Sequence, residues 1–215
     1  MKHMSELLEI PLFPLKVVLF PGGKLDLQIF ERRYIDLISS CMRSDSGFGV
    51  CLLKAGDEVV HGGVHGGGDK EARQTIHRTG TYARIVDWNQ LDNGLLGITV
   101  SGFDKFRVED CWQSDSGVLQ AKVRFSDSDS VNAKAMPVDD EYQPLVELLE
   151  NLERHPLVTE KKLVIDHSDL RAVGWRLSEL LPIENEQRQD LLEIDDPDQR
   201  IEELERLVSD MANEV

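Results

Sequence analysis

The sequence predicts an α+β chain, with a β-rich front part followed by a helical bundle. Three observations carry this. Leu119, Ala121, Val123 and Phe125 alternate with Gln120, Lys122 and Arg124, the period of a half-buried strand. Asp92-Asn93-Gly94 separates the apolar stretch Ile85–Trp88 from Leu95–Val100, and Asn-Gly is a hairpin turn signal. Beyond residue 140 the apolar residues instead recur every three or four positions.

In chain order, Ile10 to Leu37 come first, reading IPLFPLKVVLFPGGKLDLQIFERRYIDL. Prolines at 11, 14 and 21 fix φ and donate nothing to a ladder, so the run between them is a strand with restricted ends. Pro21-Gly22-Gly23 is a turn. A second strand follows. Phe30, Tyr34, Leu37, Ile38, Cys41 and Met42 then mark one face of a helix. Glu31 suits the positive amino end of that helix, and Arg32 and Arg33 read as solvated. Phe13, Phe20, Phe30 and Tyr34 read as core.

Residues 56–81 are unlike their surroundings. Gly62, Gly63, Gly66, Gly67 and Gly68 lie among His61, His65 and His77. Glycine loses the most backbone freedom on ordering, so a long loop of about 20 residues is expected between two strands. Trp88 ends a strand beside the Asn-Gly turn and reads as core, with a partly exposed aromatic contact as the alternative.

Residues 1–126 form the expected β domain with one helix, 127–140 a Ser/Asp-rich linker, and 141–215 an acidic helical domain. Tyr142, Leu145, Val146, Leu149 and Leu152 mark one helix of it. Leu170, Val173, Leu177, Leu180 and Leu181 mark another, stopped by Pro182. Ile201, Leu204, Val208 and Met211 mark the last, with Asp196 as cap, Pro197 at the first helical position and Gln199 where a capping box wants Glu or Gln.

Formal net charge is −16 over 215 residues, and it is uneven. Residues 1–138 carry 18 acids and 16 bases; residues 139–215 carry 22 acids and 8 bases. A nucleic-acid binder needs a basic stripe to neutralise phosphates, and none is present, so no nucleic-acid partner is expected. The acidic part reads as solvated helix faces, with attraction of basic partners as the sharper alternative. No run of 18 apolar residues exists, and the first residues have no apolar signal core. The expectation is a cytoplasmic protein with no membrane partner. Cys41, Cys51 and Cys111 are odd in number and lack a CxxC, which suits reduced core residues.

The candidate chemical sites are weak. His61, His65 and His77 have the ligand type of a metal site but no closed-site spacing, so a solvated loop is the preferred reading. His65-Gly66-Gly67-Gly68 looks like an esterase oxyanion loop, yet no Gly-x-Ser-x-Gly supplies a nucleophile. No Gly-x-x-x-x-Gly-Lys-Ser/Thr is present to hold a nucleotide phosphate. No catalytic residue, metal or cofactor is expected.

The string from Ile10 to Tyr34 resembles the amino-terminal substrate-binding domain of the Lon protease family, which opens "PLFPL…V.FPG…L.IFE.RY". Gly80-Thr81-Tyr82-Ala83-Arg84-Ile85 looks like the family's "GT.A.I" strand. Gly97–Gly102 with Phe106-Arg107-Val108 looks like its "V.G..RF.I" hairpin, and Gln187–Glu193 with Arg200 resembles its "kQ.LLE…R" segment. The likeness runs along nearly the whole chain and ends where the family's ATPase and protease parts would begin; the family's serine motif is absent. It implies a PUA-like pseudo-barrel and a stand-alone, non-enzymatic protein- or peptide-binding module. Its implied partners are unfolded or degron-bearing polypeptides, and a protease or chaperone. The glycine tract is not part of that pattern. A groove between the β part and the helices is the expected binding surface, bordered by the 61–68 loop, with Val64, His65 and Trp88 as candidate peptide-binding residues. PUA-like barrels also bind RNA, which keeps a nucleic-acid reading as the alternative, and a metal-dependent enzyme using His61, His65 and His77 is the third. Nothing in the residue pattern specifies an oligomeric state.

Overall fold

The computed structural model describes residues 7–55, 75–126, 134–160 and 163–213. Its first elements follow the proline and glycine punctuation: β1 (Leu8–Leu15), β2 (Lys24–Ile29) and α1 (Arg32–Ser44). Gly22 takes φ 72°, a conformation open to glycine, and so makes the turn between the strands. Next come β3 (Phe48–Ala55), β4 (Thr75–Gln90), β5 (Leu96–Gln113) and β6 (Leu119–Phe125). Residues 56–74, with most of the glycine tract, lie outside the described residues.

The sheet runs β2-β5-β4-β3-β1-β6, and β6 pairs again with β5. β1 and β3 are parallel; the other pairs are antiparallel. The second pairing of β5 closes a ring of β5, β4, β3, β1 and β6, and closure removes exposed edges. β2 is left outside the ring, held by β5 alone among the strands. The pseudo-barrel expected from the resemblance is therefore present. The hairpin expected across residues 97–108 is not: β5 is one long strand, bent where Thr81 pairs with Lys105 but Ala83 with Gly102. The extra residue on β5 is a bulge, which lets one strand serve both β2 and β6. A side chain at Gly102 would lie 2.3 Å from the Phe20 carbonyl, so only glycine fits at that bend.

Two apolar clusters fill the barrel. Phe13, Ile29, Tyr34, Ile38, Phe48, Ile98 and Val100 pack beneath α1, and Leu12, Cys51, Phe106, Val108 and Val123 pack at the other end. Cys41 and Cys51 are buried, as expected, whereas Cys111 is exposed.

The helical part contains α2 (Gln143–Glu153), α3 (Pro156–Thr159), α4 (Leu170–Leu180), α5 (Asn185–Glu193) and α6 (Pro197–Asn213). Asp196 accepts from the Asp198 amide at 3.1 Å at the start of α6, as its sequence suggested, and Glu184 and Gln187 form a capping box on α5. These helices share a core with the β part: Val18, Phe20 and Leu52 belong to the same cluster as Leu149, Val173, Leu177 and Leu204. Polar anchors cross the junction. Lys105 Nζ, with its side chain 2% exposed, donates to the Ile194 carbonyl at 2.7 Å and pairs with Asp195 at 2.9 Å. Gln189 donates to the Thr79 carbonyl at 3.1 Å, Asn185 to that of Lys16 at 2.6 Å, and Arg176 to that of Pro21. The junction is thus held by a shared apolar core and by these polar anchors.

Candidate functional site

One candidate lies at the seam between β1, β2 and the start of α1. A cleft of about 200 Å³ opens there. One wall is residues 26–31, six in succession. Side chains alternate across a strand, so an unbroken run can line a cleft only if the strand presents its edge. The facing wall is Phe13, Leu15 and Tyr34.

That wall is stiffly built. The Tyr34 ring stacks on Phe13 with centroids 4.0 Å apart, and the Arg33 guanidinium lies 4.4 Å from the Tyr34 centroid on a third level. Arg33 in turn donates to the Gly117 carbonyl at 2.8 Å and to Glu31 at 2.9 Å. Arg33 is therefore a bracket between α1 and the β5–β6 turn, not the solvated residue expected; Arg32 is the solvated one. Glu31 occupies the helix N-cap position without a side-chain capping bond.

Large apolar side chains are exposed on this part of the sheet. Phe30, expected in the core, is 56% exposed. It follows the alternation of Leu25, Leu27 and Ile29, so it falls on the opposite side of the strand from them, and it precedes the helix. That parity was the available signal. Leu27 lies across from Ile98, and Ile98 across from Trp88, so the three share one face in a single row. Trp88 is 58% exposed and carries the apolar row out to the surface, the second of the two readings its sequence allowed. Val86 is exposed near it.

A second cleft of about 140 Å³ sits at the β–helix junction, bordered by Thr79, Arg107, Arg124 and Glu193. His77 stands on β4 with Nδ1 3.5 Å from Glu193, so it is tied to α5. His61, Val64 and His65 lie outside the described residues. Among the described residues no group of three or more metal-ligating side chains converges. No described helix is long and apolar enough to cross a membrane.

Residues 9–210 match the model of the ATP-dependent protease La (LON) substrate-binding domain. The chain belongs to that family. Among solved structures, the LON domain here is similar to a Lon N-terminal domain protein from Xanthomonas campestris, with 34% identity, a TM-score of 0.70, and 92% of this chain and 96% of that one covered. The N-terminal domain of the Mycobacterium avium complex Lon protease shares the fold, with a TM-score of 0.61 at 15% identity, over 94% of this chain and 99% of that one. Lon protease 2 of Myxococcus xanthus is 30% identical over 115 residues, 53% of this chain and 13% of that protein. The Lon protease of Brevibacillus choshinensis is 21% identical over 199 residues, 90% of this chain. The chain spans only 13% and 24% of the lengths of these two proteases.

Proposed function

We propose that this LON domain is a non-catalytic recognition module that binds unfolded or degron-bearing polypeptides at the seam between β1, β2 and α1, in the service of a protease or chaperone. The observation that carries the reading is the 200 Å³ cleft, with the exposed Phe30 among its lining residues. Cofactor and drug-sized ligands occupy pockets of about 300–1,000 Å³, so this volume suits one or two side chains of a chain that extends beyond the cleft. Apolar surface beside a strand edge is how folded domains take up extended segments.

Leu27→Asp places a charge against the Phe13–Tyr34 wall. With Phe30→Ala and Trp88→Ala as separate variants, binding to a fluorescent, permanently unfolded model polypeptide is measured by anisotropy. Leu27→Asp is expected to weaken binding at least tenfold, and the other two several-fold each. Unchanged affinity in all three, with circular dichroism intact, would remove the proposal. Val64 and His65 are proposed as further contacts; deleting residues 61–68 tests them separately, and unaltered affinity drops them without touching the seam.

A further inference from the structure

We infer that the seam takes its polypeptide by strand addition: an extended segment hydrogen-bonds to the outer edge of β2, and basic residues flanking its apolar part are preferred. This rests on the seam being the binding site and specifies how it binds and what it selects.

The barrel closes through β5 and β6, so β2 is the strand the ring leaves out. No described residue hydrogen-bonds to the main chain of Leu25–Ile29 on the side away from β5. Each residue there offers one donor and one acceptor, and alternate residues point them outward. β1, across the cleft, is a poorer template. Its pairing with β6 ends at Leu12↔Leu119, and in the three residues beyond, Pro14 has no N–H to offer. Only β2 therefore presents a usable edge to the cleft. An added strand would turn every second side chain toward Phe13, Leu15 and Tyr34, and the next toward solvent.

The charge of the seam selects the flanks. Its charged lining residues are Asp26 and Glu31. Arg33 holds Glu31 at 2.9 Å, while Asp26 is exposed and accepts only a neutral hydroxyl, from Thr99 at 2.6 Å, among the bonds seen. The chain as a whole carries −16. Lysine or arginine beside the apolar segment is attracted both locally and at long range, and acidic flanks are repelled.

The test varies the peptide first and keeps Leu27→Asp as the control on the site. A nonapeptide with alternating leucine or phenylalanine and lysine flanks is synthesised with an N-methyl group at each backbone position in turn, and its affinity for the full 215-residue chain is measured. N-methylation removes one donor and keeps the side chain. Strand addition predicts loss of about tenfold at every second position and little change between, with slowed hydrogen exchange at the amides of Leu25–Ile29. It also predicts that replacing the lysine flanks with glutamate weakens binding, by a factor that shrinks as salt is added. A uniform response along the peptide, or none, overturns strand addition; if Leu27→Asp still abolishes binding, the seam itself survives. Equal affinity of the glutamate-flanked peptide overturns the charge preference. Peptide affinity indifferent to Leu27→Asp overturns both this inference and the site on which it rests.

Discussion

Arg200 is the fully buried side chain whose loss the structure prices most clearly. It rises from the first turn of α6, its guanidinium carbon 3.3 Å from the centroid of the Trp175 ring. Nε donates to the Leu191 carbonyl at 3.2 Å and Nη2 to that of Ile194 at 2.7 Å. Both carbonyls belong to the carboxyl end of α5, where helix groups lack internal partners and carry partial negative charge. Burying a charge is costly, so replacing Arg200 with leucine would be neutral if desolvation dominated. Here the opposing terms are larger. A hydrogen bond from a charged donor contributes about 1.5–3 kcal/mol, and a desolvated cation over an indole about 2 kcal/mol. Ile194 keeps Lys105 as a donor, so the Leu191 bond and the indole contact are the main losses. After the leucine recovers some packing, Arg200→Leu should cost about 3–5 kcal/mol. For a domain of this size, that lowers Tm by roughly 10 °C. Urea unfolding followed by circular dichroism measures the difference. Arg206→Leu is the control: its side chain is 60% exposed and paired with Glu203 and Asp210, and solvent screens such pairs. If Arg200→Leu costs no more than Arg206→Leu, the stacked guanidinium is not holding α5 to α6.

Two further outcomes follow from packing and burial. A methyl at Gly80 would lie 2.4 Å from the Val50 carbonyl and 2.8 Å from the Phe106 ring, so Gly80→Ala should destabilise by about 3 kcal/mol, read in the same urea experiment; a loss under about 1 kcal/mol would mean β3 and β4 can part without cost. Burial pushes the Cys51 thiol well above its ordinary value of 9.0, with Cys111 nearby adding to the rise. The folded state then holds a proton that the unfolded chain releases, so the associated stability is intact below about pH 9 and is lost as pH climbs toward the folded value, at up to about 1.4 kcal/mol per pH unit. Between about pH 8 and pH 10 the native chain should lose more stability than Cys51→Ala, and equal slopes would contradict the burial argument.

Local punctuation was legible in the residues. The Pro-Gly turn, the Asn-Gly turn with Gly94 at φ 81°, the alternation along β6 and the capped start of α6 all depend on neighbours in sequence. What stayed hidden depends on partners far along the chain. Charged residues read as solvated by default, yet Arg171, Arg176 and Arg200 are buried in the helical part. Arg200 does fall on the apolar stripe, four and seven residues before Leu204 and Leu207, but its acceptors come from α5 and its ring partner from α4. The polar ties across the junction of sheet and helices were hidden for the same reason. Nothing local to Lys105 or Gln189 announces that each reaches across to fix the junction.

Those buried arginines also change the electrostatic reading. Residues 139–215 contain 8 bases against 22 acids, and three of the 8 point inward. Their charges are spent on carbonyls at Pro21, Leu191 and Ile194 and on the carboxylates of Asp169 and Glu179. The helical exterior is left with few cations among its described residues: Arg154 and Arg206 are exposed, and Arg188 is partly so. One set of arginines thus both fastens the helices to the barrel and strips positive charge from their outer face. The barrel, meanwhile, closes on β5 and β6 and leaves β2 paired on one side, by β5, beside the cleft. An anionic body whose β2 edge is open among the described residues would draw cationic chains from a distance and hold them by their backbone. Raising salt should therefore slow their association more than it speeds their release.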